Sequence, residues 1–303
     1  MAISFTGISG AISYEGILLL SGDGTSTIWQ EPWIDQYETV AFGWDGEGFT
    51  ASLMGLLPNL AWAWATARFT PTGDMLAEPV MLGQTATDYG EYDAETDPES
   101  GTTVFVGASS LGTVLTGLYN RETSLTAPSP YWLINRDDRN HWAGTPAVAL
   151  NGSTALVAWS DLDKGMVARE VALPSGQAGA TWFIPTDPNN IFKRVVATRA
   201  GDRWIVVGQD YRGLVLAEID SKGMRQRRLL THAPAACAAT DSCPVISDWR
   251  WQIENMAVAA YGDSAWVGLT DLSYERVEND LTLFTYRILP LRDGCTYQSL
   301  ASR

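Results

Sequence analysis

Residues 146–161 read Pro146-Ala147-Val148-Ala149-Leu150-Asn151-Gly152-Ser153-Thr154-Ala155-Leu156-Val157-Ala158-Trp159-Ser160-Asp161. Two short apolar runs meet at Asn-Gly, a pair that accepts the positive φ angles of a two-residue hairpin turn. Beyond it, residues 166–171 predict a third strand, Pro174-Ser175-Gly176 a turn, and residues 180–184 a fourth strand. Four strands joined by short turns make an antiparallel meander.

The pattern returns along the chain. Residues 195–197, 204–207 and 214–219 repeat it around Gly201, with a turn at Ser221-Lys222-Gly223. Residues 256–259, 265–267 and 281–288 repeat it around Gly262, with a turn at Asp293-Gly294. In each copy the first-turn glycine precedes an aspartate by nine residues: Gly152 and Asp161, Gly201 and Asp210, Gly262 and Asp271. Degenerate copies carry Gly46 with a Pro71-Thr72-Gly73 turn, and Gly101 with Val104-Phe105-Val106. The anchor glycines 46, 101, 152, 201 and 262 are 55, 51, 49 and 61 residues apart, a period of about fifty that belongs to repeat architectures. Residues 11–14 and 17–20, split at Glu15-Gly16, with residues 25–29 after them, read as a shortened further unit.

Meanders stacked at this period predict an all-β fold, a β-propeller of four-stranded antiparallel blades, with residues 1–303 as one domain. Six blades are favoured, with five or seven as alternatives. An open edge between first and last blades would be a pairing hazard, so residues 2–6 and 296–300 are the expected closing strands. The segments 146–152, 156–161 and 168–169 resemble the propeller repeats of large bacterial surface and secreted proteins, frequent in myxobacteria. That resemblance is best over residues 145–223. It implies a scaffold and supplies no catalytic motif.

Composition narrows the partners. The chain of 303 residues is 46% apolar, with 13 Trp, 11 Tyr and 8 Phe, enough for a sizeable core. Its 35 acidic and 20 basic residues give a net charge of −15, which repels a phosphate backbone and argues against nucleic acid. No run approaches the ~20 apolar residues needed to span a bilayer, so membrane insertion is not expected. Cys237 and Cys243 lie six positions apart in a turn-rich stretch, which predicts a local disulfide, with Cys295 left over. Oxidising compartments permit such pairs. A secreted or cell-surface protein is the expectation, the periplasm being the alternative. The opening Met1-Ala2-Ile3-Ser4-Phe5 lacks the regions of a signal peptide, so this reading rests on the cysteines and the repeats.

Alternating strands put the tight turns on one face and the long connections on the other, and rigid scaffolds carry binding residues in such loops. Asp161, Asp210 and Asp271 are expected at the start of loops on that face, where they could hold a cation or sugar hydroxyls. The competing reading makes them turn acceptors. Arg136 and Trp142 in one long connection, and Trp251 in another, are the expected contacts to a protein or glycan ligand; packing between blades competes with this for the tryptophans. The acidic tract Asp88, Glu91, Asp93, Glu95, Asp97 and Glu99 lacks EF-hand spacing and reads as a solvated loop, with calcium as the alternative. No other cofactor is expected, and the metal question stays open.

Enzyme motifs fail narrowly. Ser21-Gly22-Asp23-Gly24 with Trp29 misses the aspartate box of sialidase-like propellers by one position, and Gly107-Ala108-Ser109-Ser110-Leu111-Gly112 misses the nucleophile elbow. With only His141 and His232 as imidazole bases, a triad has little support. An extracellular binding or interaction module is the leading expectation. The alternative is a glycoside-active enzyme, sialidase-like or using a carboxylate pair.

Overall fold

A computed structural model describes residues 2–9, 12–20, 26–29, 37–56, 62–72, 74–85, 89–109, 114–120, 132–133, 143–161, 164–173, 175–185, 194–210, 213–229, 253–273 and 283–291. These residues form six antiparallel sheets in chain order. The first holds β1 (Ala2–Ser9), β2 (Ile12–Leu20) and β3 (Ser26–Trp29). The second holds β4 (Tyr37–Trp44), β5 (Phe49–Leu56), β6 (Trp62–Phe69) and β7 (Met75–Thr85). The third is β8 (Tyr89–Asp97), β9 (Thr102–Ser109), β10 (Val114–Asn120) and β11 (Trp132–Leu133), and the fourth β12 (Ala143–Asn151), β13 (Thr154–Asp161), β14 (Gly165–Ala172) and β15 (Gln177–Ile184). The fifth is β16 (Arg194–Ala200), β17 (Arg203–Asp210), β18 (Gly213–Asp220) and β19 (Gly223–Leu229); the sixth is β20 (Ile253–Tyr261), β21 (Ser264–Ser273) and β22 (Leu283–Leu291). Every sheet is a meander whose strands pair in sequence order.

The anchor glycines fall where the repeat puts them, each between the first and second strands of its sheet. Their φ angles are 94° at Gly46, 64° at Gly101, 55° at Gly152, 60° at Gly201 and 56° at Gly262, a region that side chains disfavour. The first sheet departs from expectation. Residues 11–20 contain no hairpin at Glu15-Gly16; β2 runs straight through, and Gly16 pairs with Phe5. Residues 2–6, expected as a closing strand, pair with β2 as its neighbour in the same sheet. One strand of nine residues pairs continuously along β1, making more ladder than two four-residue strands with a turn between them. Residues 296–300 lie outside the described residues.

By contact the chain divides into two compact units, Met1–Val157 with Glu170–Gly179, and Ala158–Arg169 with Ala180–Arg303. In the first unit, Ala51 and Leu53 on β5 face Ala67 and Ala65 on β6, and with Phe69 form a buried cluster backed by Phe49 and Met75. The other face of those strands is buried as well, through Thr50 and Thr66, whose Oγ1 donates to the Ala51 carbonyl at 3.2 Å. Strands buried on both faces read as apolar runs with small residues. At the β4–β5 turn, Asp45 is wholly buried and accepts the backbone N–H groups of Glu47 (3.0 Å) and Gly48 (2.9 Å), and Arg68 Nε (2.6 Å). Burial opposes its charge, but Arg68 and the two N–H groups outweigh that and hold the carboxyl below its ordinary range.

The first strands of these sheets pack on one another, β8 against both β4 and β12. Ala94 and Thr96 turn one way, and Gly43 on β4 leaves room for Thr96, which a Cβ there would strike. In the second unit, Ile205 and Val207 of β17 and Leu214 and Leu216 of β18 pack on Met256, Ala265 and Val267 of β20 and β21. Each such aliphatic side chain removed from water contributes ~1.5–3 kcal/mol. Arg203 ties the same two sheets at their turns, its Nη2 donating to the Asp263 carbonyl at 2.8 Å and its Nη1 lying 3.5 Å from Glu218 Oε1.

Candidate functional site: the loop end of β13–β15 and an acid pair on β8

Strand direction fixes which end of the β12–β15 sheet carries turns and which carries loops. The Gly152 turn and the β14–β15 turn stand together, because the Leu173 N–H donates to the Ser153 carbonyl at 2.7 Å. β13 and β15 run away from that end, to Asp161 and Ile184.

At the loop end three side chains meet. Asp161, the last residue of β13, is buried, and its Oδ1 accepts the Lys164 N–H at 3.0 Å. This is the turn-acceptor geometry that competed with a ligand role in the sequence reading. Having closed that turn, Lys164 places its Nζ 5.8 Å from the centroid of Phe183, a ring 50% exposed near the end of the outer strand β15. One strand pair deeper, Arg169 lies 5.8 Å from the buried Trp159 ring and donates from Nε to Thr181 Oγ1 at 2.9 Å. The result is an exposed aromatic face beside a cation, backed by a second, locked cation–aromatic pair. Phe183 was not among the sequence candidates; the available signal was a large aromatic on the outermost strand of its sheet, which has no neighbouring strand along one edge.

The acidic tract does not form the expected solvated loop. Residues 89–97 are β8, and their period-two pattern sends Asp93 and Glu95 to one side and Ala94 and Thr96 to the other. Asp93 Oδ2 accepts the Val148 N–H at 3.0 Å and Glu95 Oε2 accepts the Leu150 N–H at 2.9 Å. Those N–H groups belong to the edge of β12 that does not pair with β13, so the two carboxyls supply acceptors an edge strand would otherwise lack. Burial pushes Asp93 up to about 6, against the pull of the Val148 and Ala94 N–H groups. Burial, then the charges of Asp93 and Asp97, push Glu95 up to about 8, so it holds a proton at neutral pH.

The remaining candidates separate. Asp210 ends β17, paired with Gly213, in the position Asp161 has on β13. Asp271 does not open a loop: it lies within β21, paired with both Ile253 and Thr285, because β21 is 10 residues long where β13 and β17 have 8. Arg136, Trp142, Trp251, Cys237 and Cys243 lie outside the described residues. Among the described residues no group of three or more His, Cys, Asp or Glu is gathered to hold a metal ion, and no helix is long and apolar enough to cross a membrane.

No protein-family model matches the chain, and no curated protein matches it. In structure it is similar to a prolyl endopeptidase, with a TM-score of 0.53 and 8% identity over 96% of this chain. The chain spans 37% of that protein's length. It also resembles the lectin of Aleuria aurantia, described as a six-bladed β-propeller with a novel fucose recognition mode, at TM-score 0.49 and 9% identity over 97% of each chain. A thermostable family-43 glycoside hydrolase follows at TM-score 0.42 and 8% identity, covering 76% of this chain and 93% of that one. The first of these likenesses bears on the fold alone, and none carries a ligand or an activity to this chain.

Proposed function

We propose that this protein is a binding module, a single propeller over residues 1–303 whose six sheets serve as blades, and that its loop end captures a glycan or protein ligand outside the cytoplasm. Consecutive meanders whose first strands pack on one another support the propeller reading. Five or seven blades would require strands beyond the six sheets to be regrouped. The resemblance to bacterial surface repeats supports a secreted or cell-surface location, as does the expected disulfide.

One observation carries the binding reading: Phe183, half exposed with Lys164 beside it, at the loop end of β13 and β15. An aromatic face offers a sugar ring or an apolar side chain a flat partner, and the adjacent ammonium donates to its hydroxyl, carboxylate or carbonyl oxygens. Arg136, Trp142 and Trp251 belong to the connections that this reading places at the same ends of the sheets.

The glycosidase alternative draws support from Asp93 and Glu95, since glycoside hydrolysis uses a protonated and an ionised carboxyl together. Against it, one oxygen of each is committed to the backbone of β12. A glycan array, run with and without calcium on the native protein and on Phe183→Ala, tests the proposal. Retention of a defined glycan subset, lost in Phe183→Ala at unchanged thermal stability, is the expected result. Conversion of the array glycans to shorter products would favour the enzyme. Equal retention by both proteins would remove the loop end of β13–β15 from the account.

A further inference from the structure

The acid pair on β8 does something that neither a binding surface nor a turn requires. Side chains at i and i+2 of a strand lie ~6.6–6.8 Å apart on one face, and so do same-edge N–H groups at i and i+2 of its neighbour. Asp93 and Glu95 therefore match Val148 and Leu150 in spacing, and side-chain oxygens take the place of a ladder between two sheets. We propose that this pair makes the β8–β12 seam a proton-operated latch, closed while the two carboxyls share a proton between them and loosened once both are charged.

Among the described residues, the strands packed on β8 give the charged state no relief. β9 and β12, the strands against which β8 packs on its paired edge and at the seam, carry no ionisable side chain. β4, on the far side, carries Tyr37 and Glu38 and no cation. β8 itself carries two further carboxyls, Glu91 and Asp97, and the charge of Asp97 is felt at Glu95. A neutral Glu95 keeps a carbonyl oxygen for the Leu150 N–H, so protonation does not break the seam. Loss of that proton to solvent leaves two partly buried negative charges two residues apart, and loosening the seam lets more water reach them. The sign follows. Both groups have folded values raised above their ordinary ones, so the folded state binds protons more tightly than the unfolded one. The stability they permit is complete below the ordinary carboxyl range and is lost as pH rises through about 6 for Asp93 and about 8 for Glu95.

Hydrogen exchange resolved to single amides tests this on the whole chain. With intrinsic rates divided out, protection at Val148 and Leu150 should fall by up to about tenfold per pH unit between about pH 6 and pH 8 and level off above that, while Val206 and Val215, inside the β16–β19 sheet, hold theirs. Glu95→Gln keeps an acceptor and cannot ionise, and should flatten the fall to less than about threefold over the same range. Asp93→Asn should displace it to lower pH, by removing the charge that raises Glu95. Protection at Val148 and Leu150 that follows Val206 and Val215 at every pH overturns the latch, as does an unchanged fall in Glu95→Gln. The comparison within the native protein stands even where a variant does not fold.

Discussion

Replacing Gly201 with alanine should cost more than the same change at Gly152, although the two glycines have nearly the same backbone. Their φ angles are 60° and 55°. Placing an L side chain in this left-handed region costs ~1–2 kcal/mol, of which ~0.4–1 returns because alanine also restricts the unfolded chain. Gly152 has nothing within 4 Å of an added Cβ, so the net cost there should be ~1 kcal/mol. At Gly201 the new methyl would meet the Asp263 carboxylate from the β20–β21 turn. Asp263 is an exposed side chain able to move, so overpacking adds the low end of its usual range, ~1 kcal/mol, for a total of ~2 kcal/mol. Asp263→Ala removes the obstruction and leaves the Arg203 hydrogen bond, which is made to the Asp263 carbonyl. Urea unfolding of Gly152→Ala, Gly201→Ala, Asp263→Ala and the double variant Gly201→Ala/Asp263→Ala should give a coupling of ~1 kcal/mol in the direction of rescue. Equal costs at the two glycines, or no rescue, would refute the placement of the β16–β17 turn against the β20–β21 turn.

Asp45→Ala should destabilise by ~3 kcal/mol, because it strips Arg68 and two N–H groups of their acceptor. Since the Asp45 carboxyl is held below its ordinary value of 3.8, its contribution is present above that value and lost as pH falls below it. Acid unfolding followed by circular dichroism should show that limb flattened in Asp45→Asn. Alkylation of native protein without reductant, read by mass spectrometry, should label Cys295 and spare Cys237 and Cys243; labelling of all three would remove the disulfide and much of the case for secretion. Closing so short a loop should stabilise only modestly, ~2 kcal/mol.

The repeat was legible because its markers are steric necessities. A glycine is needed wherever a first turn enters positive φ, and all five anchors are found there. The third-to-fourth-strand turns were equally plain: Pro174-Ser175-Gly176 lies between β14 and β15, and Ser221-Lys222 between β18 and β19, with Gly223 opening β19. What the sequence hid was tertiary. Glu15-Gly16 looked like a turn because glycine is permissive, yet inside a paired strand it is merely tolerated. Asp93 and Glu95 looked solvated because their partners are backbone N–H groups 55 residues away, which leave no trace in side-chain identity. Phe183 stood out only once β15 was known to be the outermost strand of its sheet, and Asp271 lost its place at a loop because β21 is extended beyond its counterparts.

The most direct test of the account is a titration of the glycan or peptide that the native protein retains best, followed by calorimetry and by product analysis on the same samples. Capture through the loop end predicts saturable binding with the ligand recovered intact, and Phe183→Ala weaker by ~2 kcal/mol or more, the scale of a central contact, with an unaltered unfolding transition. Binding that is indifferent to Phe183, or a ligand recovered cleaved, would contradict it.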